Sequence, residues 1–92
     1  SVVTKGDSDD ANGCNLEGNT AWLQVCRVGN NFGFHYSVDG VNFYMMRYFH
    51  LPADPVIKVG LLAQAPTGNG GIRVYENLSI EKKTVKNIRA GK

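Results

Sequence analysis

Side chains suited to binding a small polar ligand cluster on both sides of an Asp-Gly pair near the middle of the chain. Aromatic rings pack against the apolar C–H faces of a sugar, while amide, imidazole, hydroxyl and guanidinium groups bond to its hydroxyls. The candidate ligand-binding residues are Gln24, His35, Tyr44, Arg47 and Tyr48. We therefore predict that one face of a β-sheet binds a carbohydrate.

Catalytic chemistry has less support in the sequence. Glycoside hydrolysis needs two carboxyl groups that flank one bond. Glu76 and Glu81 are separated by an odd number of positions and fall on opposite faces of a predicted strand. His35 and His50 are better explained as hydrogen-bonded histidines than as catalytic bases. We predict no catalytic residue, and the enzyme hypothesis requires catalytic residues outside this chain.

Metal and cofactor sites are not predicted either. The two cysteines and two histidines lack the spacing of zinc ligands. The run from Asp7 to Asp10 offers oxygen-bearing side chains to calcium, but Ala11 and Gly18 stand where an EF-hand loop needs ligands. A solvated loop over residues 6–19 is the better explanation.

The composition sets further limits. The 92 residues are 42% hydrophobic and 20% charged, which indicates one small globular domain. The net charge of +2 is too low to indicate a nucleic-acid partner, and no apolar run approaches the roughly 20 residues that span a bilayer. Cys26 is expected to be a buried thiol, with a Cys14–Cys26 bridge as the alternative. The compartment stays open, with the cytoplasm slightly favoured.

Apolar alternation between Gly-, Asn- and Pro-rich segments predicts an all-β fold, an antiparallel β-sandwich. The basic residues 82–92 are predicted to form a solvated C-terminal tail, which leaves residues 1–81 as the sandwich domain. The predicted strands cover residues 1–5, 21–28, 32–38, 41–49, 56–65 and 72–81.

The register of the central hairpin decides which residues share a face. A two-residue Asp-Gly turn pairs Tyr36 with Phe43 and places His35 beside Tyr44 on a polar face. A type I turn with Gly40 as a bulge shifts the pairing by one residue and moves Phe43 to the other face. We prefer the first register because it groups the apolar side chains.

An ordered set of residues in this region resembles a known family, with Phe43 where that family usually has Trp. The set consists of Trp22, Arg27, Gly29, Phe32, Tyr36, Ser37, Asp39 and Gly40. It is similar to the DUF1349 family of concanavalin A-like, jelly-roll β-sandwiches, and a similar pattern occurs in the accessory sandwich domain of some family 43 glycosidases. Later segments, through residues 75–80, resemble that family's closing strands.

The resemblance implies a lectin-like fold, of which residues 1–81 match the C-terminal half. Half of a jelly roll has unpaired strand edges and an uncovered apolar face. We therefore expect a missing N-terminal half, a partner chain or self-association to complete it. The predicted function is a carbohydrate-binding module. The alternatives are a protein-interaction or regulatory domain without sugar binding, and a glycosidase-related enzyme.

Overall fold

The computed structural model describes residues 1–65 and 67–92, and these contain five β-strands and no helix. The strands form two antiparallel sheets, one of β1 and β2 and the other in the order β3-β4-β5. Their bounds are Val2–Thr4 (β1), Asp7–Asp9 (β2), Trp22–Val28 (β3), Asn31–Ser37 (β4) and Tyr44–His50 (β5). The predicted all-β, antiparallel class is confirmed.

The chain divides into two compact units. Ser1–Ala53 together with Thr84–Lys92 form the first unit, which holds both sheets, and Asp54–Lys83 form the second. Residues 87–92 make hydrogen bonds to the three-stranded sheet, so this part of the predicted solvated tail is packed. His35, which is fully buried, lies under this segment.

The first sheet contains a strand that the sequence did not reveal. The polar residues of β2 were predicted as loop, but they pair with β1, where Val2 lies opposite Asp9. Lys5 and Gly6 connect the two strands, and both have positive φ, at 51° and 86°. Positive φ at two successive residues is the geometry of the tight turn that best matches strand twist.

The β4–β5 hairpin adopts neither of the two predicted registers, because its turn is longer than both, so the preferred register was wrong. Tyr36 pairs with Tyr44 and His35 with Met45, and the register shifts once more between Phe34 and His35. Residues directly opposite one another point to the same side of a sheet. Tyr44 therefore shares a face with Tyr36 and lies on the opposite face from His35.

The Asp39 carboxylate organises the turn between β4 and β5. It accepts hydrogen bonds from the backbone N–H groups of Val41 and Asn42, both at 2.8 Å, and from the Ser37 hydroxyl at 2.8 Å. The Asn42 side-chain amide donates a further bond at 2.9 Å. These bonds satisfy backbone groups without strand pairing, which explains why the loop is longer than two residues.

Trp22 packs against the same turn. A Cβ on Gly40 would lie 3.0 Å from Cε2 of Trp22, and Gly40 has a φ of +77°. Close approach and positive φ both require glycine at this position. The Trp, Asp and Gly of the sequence pattern therefore belong to one structural element.

The two predicted strands after the hairpin do not form. The structure assigns no strand to the described residues of Asp54–Lys83, although residues 56–65 and 72–81 alternate in polarity. A strand needs a neighbour that accepts its backbone hydrogen bonds, and alternation does not supply one. Val56 and Ile72 are each 87% exposed as a result.

Replacing the turn carboxylate should destabilise the hairpin in a pH-dependent way. The bonds from Asn42, then Val41, lower the pKa of Asp39 far below its ordinary value of 3.8. Its stabilisation is therefore fully present above about pH 4 and is lost as the pH falls through the folded pKa. Asp39→Asn should lower the thermal midpoint by several degrees at pH 7.

Circular dichroism melts of the wild type and Asp39→Asn between pH 7 and pH 2 would measure this difference. The gap between the two midpoints should narrow as the pH falls below about 4. Val38→Ala, at an exposed position of the same turn, is the control. A gap of constant size across the range would contradict the role assigned to the carboxylate.

Candidate functional site

The three-stranded sheet has two faces with different surroundings. The front face carries Leu23, Val25, Arg27, Phe32, Phe34, Tyr36, Tyr44, Arg47 and Phe49. The back face carries Trp22, Gln24, Cys26, Gly33, His35, Ser37, Met45 and Tyr48. The structure therefore divides the candidate residues: Tyr44 and Arg47 lie on the front face, and the other three lie on the back face.

Aromatic rings form two groups on the front face. Phe49 stacks on Phe32 and meets Phe34 edge to face, with ring centroids 5.2 Å apart in both pairs. Tyr36 and Tyr44 follow towards the turn, with centroids 5.8 Å apart. The Tyr44 side is the open one, because this residue is 56% exposed. An exposed ring next to a supported ring is a platform for the apolar side of a ligand.

Arg47 joins this cluster to the first sheet. Its guanidinium lies 5.2 Å from the centre of the Phe49 ring and donates to the main-chain oxygen of Asp9 at 3.0 Å. It also pairs with the Asp9 carboxylate at 3.1 Å. Arg47 therefore holds the end of β2 against β5, and the residues that follow β2 reach the front face.

A pocket of about 190 Å³ lies at this junction. It is lined by Ser1, Ala11, Asn12, Gly13, Phe34, Met46 and Arg47. Sites for drug-sized ligands enclose roughly 300–1,000 Å³, so this pocket suits one small ring or the end of a chain. The lining combines an aromatic ring with amide, hydroxyl and guanidinium groups. Sequence reasoning found Arg47 but missed Ser1 and Asn12, which lie in segments without a periodic signal.

Two titratable groups on or near the front face, Tyr36 and Asp10, have shifted pKa values. A hydrogen bond with Cys14 raises the pKa of Tyr36, so its hydroxyl remains neutral at physiological pH. Hydrogen bonds from Ser1 and Ser8 lower the pKa of Asp10, which is therefore a carboxylate. The pocket region thus offers neutral hydroxyls together with the guanidinium of Arg47, which is already paired with Asp9.

The back face is covered by residues 87–92, which we call the strap. Gln24 donates from Nε2 to the main-chain oxygen of Gly91 at 2.9 Å. His35 is 0% exposed, and its Nε2 lies 3.1 Å from the main-chain oxygen of Arg89. Since a carbonyl only accepts, Nε2 of His35 carries the proton. Arg89 in turn places its guanidinium 4.8 Å from the centre of the Tyr48 ring.

Arg27 and the cysteines have structural surroundings. Arg27 donates to the main-chain oxygens of Gly29 at 2.8 Å and Ala53 at 3.1 Å. These bonds tie the β3–β4 turn to the residues that follow β5. Cys14 is exposed and Cys26 is buried, and both are free thiols. The expected buried thiol at Cys26 is confirmed, and the bridge between the two is not formed.

No metal-binding group of three or more His, Cys, Asp or Glu residues occurs within residues 1–65 and 67–92. In the same described part of the chain, no helix is long and apolar enough to cross a membrane.

Together these features define an all-β module whose three-stranded sheet is covered on the back and carries aromatic residues on the front. The model of the family described as "Protein of unknown function (DUF1349)" matches residues 1–83. The chain belongs to the DUF1349 family, which confirms the resemblance found over residues 1–81. Neither a curated protein nor a solved structure matches the chain.

Arg47 should contribute more to stability than its ion pair alone. The Asp9 side chain is 80% exposed, so Asp9→Asn should cost less than about 1 kcal/mol. Arg47→Ala also removes the bond to the Asp9 main chain and the contact with Phe49, and should cost about 1–3 kcal/mol. Urea unfolding of the two variants measures both values, and equal costs would show that the ion pair dominates.

Proposed function

We propose that this protein is a carbohydrate-binding module whose ligand occupies the front face, in the pocket beside Phe34 and against the exposed ring of Tyr44. The observation that supports this most is that one face of the sheet carries both the exposed ring of Tyr44 and a small pocket lined by apolar and polar side chains. The back-face candidates Gln24, His35 and Tyr48 are engaged by the strap and lie outside this site.

Each front-face group has a role in this proposal. The Tyr44 ring, supported by Tyr36, packs on the C–H face of one sugar residue. Arg47 uses N–H groups for Asp9, and its guanidinium has five in all, so donors remain for ligand hydroxyls. The Asn12 amide lines the same pocket and both donates and accepts. Neutral hydroxylated ligands suit this set better than anions, because the arginine is already paired.

The size of the pocket limits the expected affinity. A pocket of about 190 Å³ encloses only one small ring, and much of a longer ligand would stay in solvent. The free-energy cost of the ligand's lost translational and rotational freedom then offsets most of the energy of its contacts with the protein. We expect a dissociation constant on the order of 1 mM for a single sugar residue.

A titration of ¹⁵N-labelled protein with a panel of mono- and oligosaccharides tests the proposal. Backbone amides at Tyr44 and Asn12 should shift, and Tyr44→Ala should weaken binding about tenfold, because it removes the stacking surface. Tyr48→Ala is the matched control, since it removes the same residue type from the other face of the same strand.

Two results would contradict a sugar site on the front face. One is the absence of amide shifts with every sugar in the panel. The other is wild-type affinity in Tyr44→Ala combined with weaker binding in Tyr48→Ala, which would move the site to the back face.

A second candidate function is protein interaction through the unit Asp54–Lys83. Large apolar side chains are exposed along it, among them Val56, Leu62, Ile72, Val74 and Ile80. They stand in segments whose alternation is typical of strands, and the described residues there form none. Such segments become strands when another β-segment or chain supplies hydrogen-bonding partners. We propose that a complementary segment, a partner chain or a second copy completes this unit.

Sedimentation velocity over a wide concentration range tests the version of this proposal in which a second copy is the partner. The chain should associate as concentration rises, and Leu62→Asn should weaken association because it removes an exposed apolar side chain that is 77% accessible. Lys58→Asn, in the same segment, is the control. A monomer at every concentration would exclude self-association.

A further inference from the structure

The strap has a conformation set by its own hydrogen bonds. The N–H of Asn87 donates to the main-chain oxygen of Lys92 at 2.8 Å, and the N–H of Gly91 donates to that of Asn87 at 3.0 Å. The Asn87 side chain accepts from the N–H of Arg89 at 3.1 Å. The strap is therefore a closed turn that docks on the sheet through outward-facing groups, and it does not extend the sheet as a strand.

The sheet recognises the main chain of this turn. Gln24 and His35 are cross-strand partners, and each directs Nε2 at a strap carbonyl. The two carbonyls, of Arg89 and Gly91, are two residues apart. Hydrogen bonds to the main chain of a bound peptide give affinity irrespective of much of its sequence, and pockets for its side chains give specificity.

Three further contacts select particular strap residues. The Arg89 guanidinium lies over the Tyr48 ring. Gly33 leaves room for Ile88, since a Cβ there would lie 3.2 Å from Cγ1 of Ile88. At the strap's own glycine, Gly91, φ is +73° and a Cβ would lie 2.6 Å from Nε2 of Gln24. The surface thus fits an Arg-x-Gly sequence with an apolar residue before the arginine.

His35, beneath the strap, has a ring nitrogen without a hydrogen-bond partner among the described residues. This atom is Nδ1, and the side chain is fully buried. Buried polar atoms are nearly always paired, so an orphan atom marks a position that packing alone does not explain.

We propose that the back face is a binding site for a short basic peptide of the type apolar-Arg-x-Gly, and that the strap occupies this site as an intramolecular ligand. The site is distinct from the front face and does not depend on sugar binding there. Attachment to the same chain gives the strap an effective concentration in the millimolar range, so a free peptide competes at lower concentration once the strap is weakened.

The experiment uses the full chain, labelled with ¹⁵N, with Gly91→Val to displace the strap. The Gln24 side-chain amide signals should shift, and His35 should become reactive to ethoxyformylation while the exposed His50 reacts in both proteins. Addition of unlabelled peptide Asn-Ile-Arg-Ala-Gly-Lys should return the Gln24 signals. The peptide with Val in place of Gly should bind at least about tenfold more weakly.

Arg89→Ala provides a second test that leaves the core untouched. It replaces the first test if Gly91→Val is unfolded, which loss of the β4 amide signals would show. The wild-type peptide should then displace the strap, and shift the backbone amide signals of residues 87–92, at about tenfold lower concentration than it needs with the wild-type chain. Arg73→Ala, an exposed arginine of the second unit, should change nothing. Two results would overturn the proposal. One is that the Gln24 amide signals and the reactivity of His35 stay unchanged in Gly91→Val. The other is that the peptide does not bind to the back face after the strap is displaced.

Discussion

The hydrogen bonds accepted by the Asp39 carboxylate are the constraint on which the rest of the first unit depends. They fix the length of the β4–β5 turn and thereby the register of the hairpin. A shift of one residue exchanges the faces of a strand. That shift places Tyr44 beside Tyr36 on the front and leaves His35 on the back, under the strap. One exposed carboxylate thus decides which residues can act together.

Different parts of the chain contact the two faces of the three-stranded sheet. The front face is reached by the residues that follow β2, because Arg47 holds Asp9 against β5. The back face is covered by the strap, whose bonds end on Gln24 and His35. Sugar binding and peptide binding are therefore proposed for separate surfaces.

The sequence predicted the three central strands well because alternation of apolar residues is a local property. It did not predict the register, since the turn length depends on bonds from Ser37 and Asn42 to a carboxylate, which alternation does not encode. The strap escaped prediction because its contacts use main-chain oxygens. Residues 56–65 and 72–81 have the pattern of strands, but a pattern specifies no partner, and the described residues there remain unpaired.

The position of Trp22 has a spectroscopic consequence. It is the single tryptophan of the chain, and it lies against Gly40 in the β4–β5 turn, partly open to solvent. Its emission therefore reports on the closure of that turn. The protein carries an intrinsic optical probe at the point where its register is set.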